Sequence, residues 1–274
     1  MAQTDRYDHG HGTVWQDVFV HRREGYYTSV VNYHKHGFYE LNLILSGNVR
    51  ILLREGVTQS TGNTVVMTRP GTPHYITCRP DALYQRLYLV FTADFVERCA
   101  EWSELSDLFG AEGTVLSLTA EQTKRFADLI GQIDGESSRL RQRLLTFYLL
   151  SCLLELTNRD LHRTGRTPPY ILEALSFLEE HYDERLVAAT LAKRLNVSRT
   201  TLMTEFKRYT ERTLVDYLTH CRLANALRLL REGKTVEDVA ERCGFADSSG
   251  LNRAFRRCYG MTPRQYAEQN KSLR

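Results

Sequence analysis

The sequence predicts an α+β protein of two domains: an antiparallel β-barrel with helices attached, followed by an all-α domain. Three observations carry this prediction. The chain has 274 residues, more than one small core needs and enough for two domains. Short β-branched and aromatic runs crowd the segment from about residue 14 to 92, with no helical period between them. From about Thr119 the pattern turns helical, and the last hundred residues carry an internal repeat with no strand-like stretch.

The strand runs are "TSVVNY", "ELNLIL", "NVRILL", "NTVVMT" and "QRLYLVF", and between them "SGN", "EGVTQSTG" and "RPGTP" carry turn chemistry. Many short strands without intervening helices suggest a small barrel or jelly roll over residues 1–118. A helical region follows over 119–162. Thr119 stands three residues before Gln122, a capping-box spacing that opens "LTAEQTKRFADLIGQIDG". "SRLRQRLLTFYLLSCLLELTNRDLH" then reads as a long helix, apolar nearly all round from Leu144 to Leu154. Such a helix is buried on more than one side. That points to a helix-mediated homodimer, the alternative being a helix lying wholly within its own domain.

"RTGRTPP" (163–169) reads as a linker, basic and non-periodic, and residues 170–274 form the second domain. Charge divides with it: residues 1–167 hold 18 Lys and Arg against 19 Asp and Glu, net −1, whereas residues 168–274 hold 18 against 14, net +4. The second domain is therefore the one expected to meet an anionic partner. The six cysteines (Cys78, Cys99, Cys152, Cys221, Cys243 and Cys258) form no Cys-x-x-Cys pair, as expected of buried thiols in a reducing cytoplasm. "MAQTDRYDHGHG" lacks the apolar core of a secretory signal, and the apolar run 144–154 is too short for a bilayer. A cytoplasmic protein with no membrane partner is expected.

Within the second domain, "LAKRLNVSRTTLMTEFKRYTERT" (191–213) resembles "VAERCGFADSSGLNRAFRRCYGMT" (239–262). Each copy has the parts of a helix-turn-helix. A small residue (Ala192, Ala240) allows a close helix crossing. Asn196 and Gly244 tolerate a left-handed turn, and Ser198 and Asp247 cap the second helix. Leu202 and Phe206, like Leu251 and Phe255, are spaced to bury one face and turn the residues between them outward. Between the copies, "TLVDYLTHCRLANALRLLRE" shifts its apolar face by about 140° midway, at about 100° per residue. It would hold two reading heads rigidly.

On "YLTHCRLANALRLL" and "VAERCGFADSSGLNRAFRRCYGMTPRQY", about 100 residues of the chain resemble the DNA-binding domain of the AraC/XylS family of bacterial transcription regulators. The resemblance implies a double-stranded DNA operator, with two recognition helices entering successive major-groove segments. By match to the family's positions, base readout falls to Arg199, Thr200, Met203 and Thr204, and to Ser248, Ser249, Asn252 and Arg253. Phosphate contacts fall to Lys207, Arg208, Arg212, Arg256 and Arg257. The expected regulator is an activator that acts as a homodimer, with RNA polymerase as a further partner. Two departures stand out. Glu211 replaces a usual glycine, so a less regular helix end is expected there. Gly250 lies inside the second recognition helix, where it costs about 1 kcal/mol against Ala.

"YHKHGFYELNLILSGN … NTVVMTRPGTPHYI" resembles the cupin barrel, and His34, His36, Glu40 and His74 fill the positions at which cupin enzymes hold a metal. Taken alone, these residues fit a metal-dependent enzyme fused to a DNA-binding module. AraC/XylS regulators with a cupin-like N-terminal domain use the barrel as an effector pocket, often for a sugar. The resemblance therefore implies a non-enzymatic sensor with no cofactor. Tyr33, Phe38, Tyr39 and Tyr75 would then offer flat faces, and His34, His36, Glu40, Arg69 and His74 hydrogen bonds.

Overall fold

Alternating apolar residues in the first half of the chain fold into six antiparallel strands: β1 (Val18–Gly25), β2 (Tyr39–Leu53), β3 (Gly56–Thr68), β4 (Tyr75–Cys78), β5 (Tyr84–Phe91) and β6 (Thr114–Ser117). The computed structural model describes residues 17–25, 33–79, 82–97, 100–157 and 167–271. The chain divides into two compact units, 1–167 and 168–274. Strand order is β1-β5-β2-β3-β6, with β4 paired to the far half of β2. Among the described residues the pairings form an open path, a sheet with β1 and β6 at its ends.

The strand boundaries depart from the sequence reading in instructive ways. "ELNLIL" and "NVRILL" are one strand, because "SGN" makes a bulge between Ser46 and Val49 instead of a turn. Gly47 takes φ 116° there, and a Cβ on it would meet Tyr84 Cα at 3.0 Å. Most of "EGVTQSTG" likewise belongs to β3. Residues 28–32 of "TSVVNY" lie outside the described residues, and Tyr33 is in no strand.

Strand alternation gives the sheet two faces. Leu41, Leu43, Leu89 and Phe91 pack on one face against α3 (Ala120–Gly135) and α4 (Arg139–Leu154), with Phe126, Ile130, Ile133, Leu149, Leu150 and Leu153 in the shared core. Two one-turn helices, α1 (Ala93–Val96) and α2 (Trp102–Leu105), add Phe95 and Trp102 to it. Ile44, Ile51, Val66, Ile76 and Val115 form a second cluster on the other face. Thr119 and Gln122 make the expected reciprocal cap on α3, at 3.1 and 2.8 Å. The next helix is shorter than read, ending at Leu154 with a turn through Thr157. It is also less evenly buried, since Leu140, Leu144 and Tyr148 are 65%, 60% and 49% exposed.

The expected linker falls only partly within the described residues. Residues 163–166 lie outside the described residues, and Thr167 belongs to the first unit, its hydroxyl donating to Leu53 O at 3.0 Å. Pro168 and Pro169 open α5 (Pro169–Glu180), where a missing N–H is harmless. Then follow α6 (Ala188–Arg194), α7 (Arg199–Thr210), α8 (Leu214–Arg231), α9 (Val236–Arg242), α10 (Ser248–Tyr259) and α11 (Pro263–Lys271). The first half of α8 buries Leu214, Tyr217, Leu218 and Cys221, and Tyr217 stacks edge-on to Phe206 of α7. The second half buries Leu223, Ala226, Leu229 and Leu230 with α9, α10 and α11. The shift of apolar face is what lets one helix serve both subdomains.

Candidate effector pocket and nucleic-acid interface

Each recognition helix is built as its sequence requires. Ser198 accepts from Thr201 N at 3.0 Å to start α7, and Asp247 accepts from Gly250 N at 2.6 Å to start α10. Leu202, Phe206, Leu251 and Phe255 are fully buried, which turns the intervening residues to solvent. Arg199, Thr200, Met203 and Thr204 are exposed on α7. On α10, Ser249 and Arg253 are exposed, while Ser248 and Asn252 are half-buried. The Asn252 amide donates to Ser248 O at 2.8 Å, which leaves its second N–H and its Oδ1 to meet a base.

Arg199, Lys207, Arg253 and Arg256 are exposed and form no ion pair among the described residues. Arg208 reaches Glu205 at 3.2 Å, and Arg257 is exposed. Arg212 is placed differently from the other cations. The His220 ring donates through Nδ1 to Asp216 O at 2.7 Å, leaving Nε2 to accept from Arg212 at 3.1 Å. Burial, then the Arg212 charge, pushes His220 down to about 4, so the ring stays neutral and can accept. Arg212 thus ties the end of α7 to α8, and only the rest of the predicted phosphate set faces outward.

In the sheet domain, His34, His36, Glu40 and His74 converge, with one ligand atom from each lying within 4.8 Å of the others. The convergence is a backbone product. His34 N donates to His74 O at 3.1 Å, His74 N to His34 O at 3.0 Å, and Gly71 N to His36 O at 2.8 Å. Loop 33–38 is thereby laced to loop 69–74. Phe38 stacks on His36 with ring centres 3.9 Å apart. Burial alone would raise the Glu40 carboxyl, but the hydrogen bond and charge of His36, then His74 and His34, hold it well below the usual carboxylate range. Burial pushes His74 below its ordinary value.

The other predicted pocket residues are not all brought there. Tyr39 lies one residue from Glu40 and so points to the opposite face of β2. It packs among Phe91, Trp102 and Phe109 and donates to Glu97 at 3.1 Å. Tyr75 is fully buried beside Leu52 in the β2–β4 pairing. Tyr33 is buried, its hydroxyl raised to about 12 by burial, with Arg54 and Glu112 nearby. Arg69 is half-buried in the loop before His74.

Residues the sequence reading passed over also face the cluster. Asn42, two residues from Glu40, donates to its Oε1, and Arg86 donates to Asn42 Oδ1 at 2.9 Å. Arg86 also lies 4.7 Å over the Tyr88 ring. A charged residue inside the apolar run "QRLYLVF" was the available signal.

Two family descriptions match this chain: an AraC-like ligand binding domain over residues 18–150, and a helix-turn-helix domain over 191–269. The chain belongs to the AraC/XylS family of transcription regulators. As a family member it is a DNA-binding regulator with a ligand-binding domain, not an enzyme. The melibiose operon regulatory protein of Escherichia coli (strain K12) is 24% identical over 264 residues, 88% of this chain and 85% of that protein. The HTH-type transcriptional activator RhaS of Enterobacter sp. (strain 638) is 31% identical over 150 residues, and this chain spans about half of that relative, 54%. Among solved structures, unsaturated fatty acid bound ToxT from Vibrio cholerae strain SCE256 aligns with 91% of this chain and 94% of its own, at 13% identity and TM-score 0.44. Among the described residues, no helix is long and apolar enough to cross a membrane.

Proposed function

We propose that this regulator is a cytoplasmic, dimeric activator of transcription whose DNA binding responds to a small-molecule effector, a sugar, held in the sheet domain. The observation that carries the reading is the convergence of three histidines and a carboxylate beside an aromatic ring, in a domain matched as ligand-binding. Polar groups fixed among flat apolar faces suit the hydroxyls and ring faces of a sugar. The melibiose operon regulator and the RhaS activators among the relatives favour the same class and direction.

In this reading Tyr33, His34, His36, Phe38, Glu40, Arg69, His74 and Tyr75 supply or support the effector contacts, while Tyr39 serves the core. Arg199, Thr200, Met203, Thr204, Ser248, Ser249, Asn252 and Arg253 read bases. Lys207, Arg208, Arg256 and Arg257 meet phosphates, and Arg212 orders the end of α7. The effector acts by favouring one arrangement of the dimer over another, so it must bind the two arrangements unequally. RNA polymerase is the partner such an activator recruits.

Thermal unfolding of the full-length protein against a panel of sugars tests the effector class. A sugar at 100 times its Kd adds about 2.7 kcal/mol to the folded state. The expected result is a rise in midpoint with one sugar, abolished in Phe38→Ala. Stabilisation by a different class of small molecule, with none by any sugar, would contradict the sugar assignment.

A further inference from the structure

Around Glu40 the hydrogen-bond roles can be assigned one atom at a time. Arg86 is buried and can only donate, so Asn42 Oδ1 is the acceptor of their 2.9 Å contact. That fixes the Asn42 amide with its NH2 toward Glu40 Oε1, which accepts as a carboxylate oxygen. On the other side, His36 Nδ1 lies 3.0 Å from Phe38 O, and His74 Nδ1 lies 3.0 Å from Thr72 O. A carbonyl oxygen only accepts, so both Nδ1 atoms carry a proton, which leaves Nε2 as the nitrogen each ring can offer to a cation.

Both Nε2 atoms face the Glu40 carboxylate. His36 Nε2 is 2.9 Å from Glu40 Oε2, and His74 Nε2 is 3.8 Å from Glu40 Oε1. A cation between these nitrogens and the carboxylate would serve all of them at once. His74 Nε2 is fully buried with no hydrogen-bond partner among the described residues, an arrangement that costs about 1–3 kcal/mol.

We propose that His34, His36, His74 and Glu40 bind one divalent first-row transition-metal ion, with Asn42 and Arg86 as positioning residues that aim the carboxylate at it. Three imidazoles and one carboxylate are a donor set for zinc, iron(II), nickel or manganese, not for the all-oxygen sites of calcium. Bonds of about 2.1 Å put neighbouring donors about 3 to 3.4 Å apart and opposite ones about 4.2 Å apart. The four donor atoms, all within 4.8 Å of one another, therefore close on an ion with movements of well under an ångström at each ligand. A backbone carbonyl on the far nitrogen of a ligating histidine fixes its tautomer, and two of the three rings have one. The site stands whether or not the effector is a sugar. Its role would be to tie the two laced loops to the start of β2 and to offer any remaining coordination positions to oxygen atoms of the effector.

The test uses full-length wild-type protein, stripped with a chelator and titrated with Zn²⁺ and with Co²⁺. The expected result is one ion bound per chain and a higher unfolding midpoint that chelator reverses. Cobalt should also give visible absorption bands of a nitrogen- and oxygen-ligated site. His36→Gln should lose all three, while Asn42→Ala keeps the stoichiometry with affinity lowered about 10- to 100-fold. His220→Gln, outside the cluster, should match the wild type. No retained ion and no stabilisation of wild type would overturn the proposal. So would equal binding by wild type and His36→Gln, which would mark the ion as bound elsewhere.

Discussion

Glu211 occupies the left-handed region at φ 60°, and Gly260 occupies it at φ 70° at the equivalent end of α10. Their amides close the two helices alike, Glu211 N on Lys207 O at 2.8 Å and Gly260 N on Arg256 O at 2.9 Å. The helix end at 211 is therefore as regular as its glycine counterpart, against expectation, because the backbone accepts local strain to keep the cap. A side chain in this region costs about 1–2 kcal/mol. Glu211→Gly should raise unfolding stability by up to about 1 kcal/mol, since glycine also loses more freedom on folding. Chemical denaturation of the full-length protein checks this, and an unchanged or lower midpoint would contradict it. Gly244 has no such latitude, because a Cβ there would lie 2.3 Å from Asp183 O. Both turn residues, Asn196 and Gly244, were legible from residue type alone, and both take positive φ. The Asp183 contact was not legible, because nothing in a linear sequence marks two distant backbones as touching.

At the scale of elements, α4 is the informative case. Its composition suggested burial all round, yet Leu140, Leu144 and Tyr148 recur every fourth residue on an exposed stripe. Arg125 of α3 steadies the last of them, donating to the Tyr148 hydroxyl at 2.8 Å. We assign this stripe to the dimer contact proposed above. Leu144→Glu should convert the dimer to a monomer in sedimentation while changing stability by no more than about 0.5 kcal/mol, as befits an exposed position. A wild-type protein that is monomeric at every concentration would contradict the assignment, as would a variant that stays dimeric. The strands show a different limit of sequence reading. "SGN" has the residues of a turn, and only the pairing of β2 with β3 on both sides of it distinguishes a bulge. The wrong grouping of Tyr39 with the pocket came from reading neighbours in sequence as neighbours in space. In a strand, alternation sends Tyr39 to the helices and Glu40, with Asn42, to the histidines.

For the whole molecule, the two-domain plan and the double helix-turn-helix were legible because each rests on a long periodic or repeated pattern. The set His34, His36, Glu40 and His74 was legible as a cupin-like motif, whereas Asn42 and Arg86 beside it were not, because their approach to Glu40 depends on how β2 pairs with β5. The functional reading joins the levels: caps and plugs orient α7 and α10, and α8 shares its two apolar faces between them. The net charge of 168–274 favours DNA. The central claim is that both helices read sequence. Selection of bound duplexes from a random pool by the full-length protein tests it most directly, repeated with Arg253→Ala. The account predicts an enriched site with two conserved segments about one helical turn apart, 10–10.5 base pairs. In Arg253→Ala one segment should lose its preference while the other keeps it. No enriched sequence, or a single segment unaffected by Arg253→Ala, would contradict it.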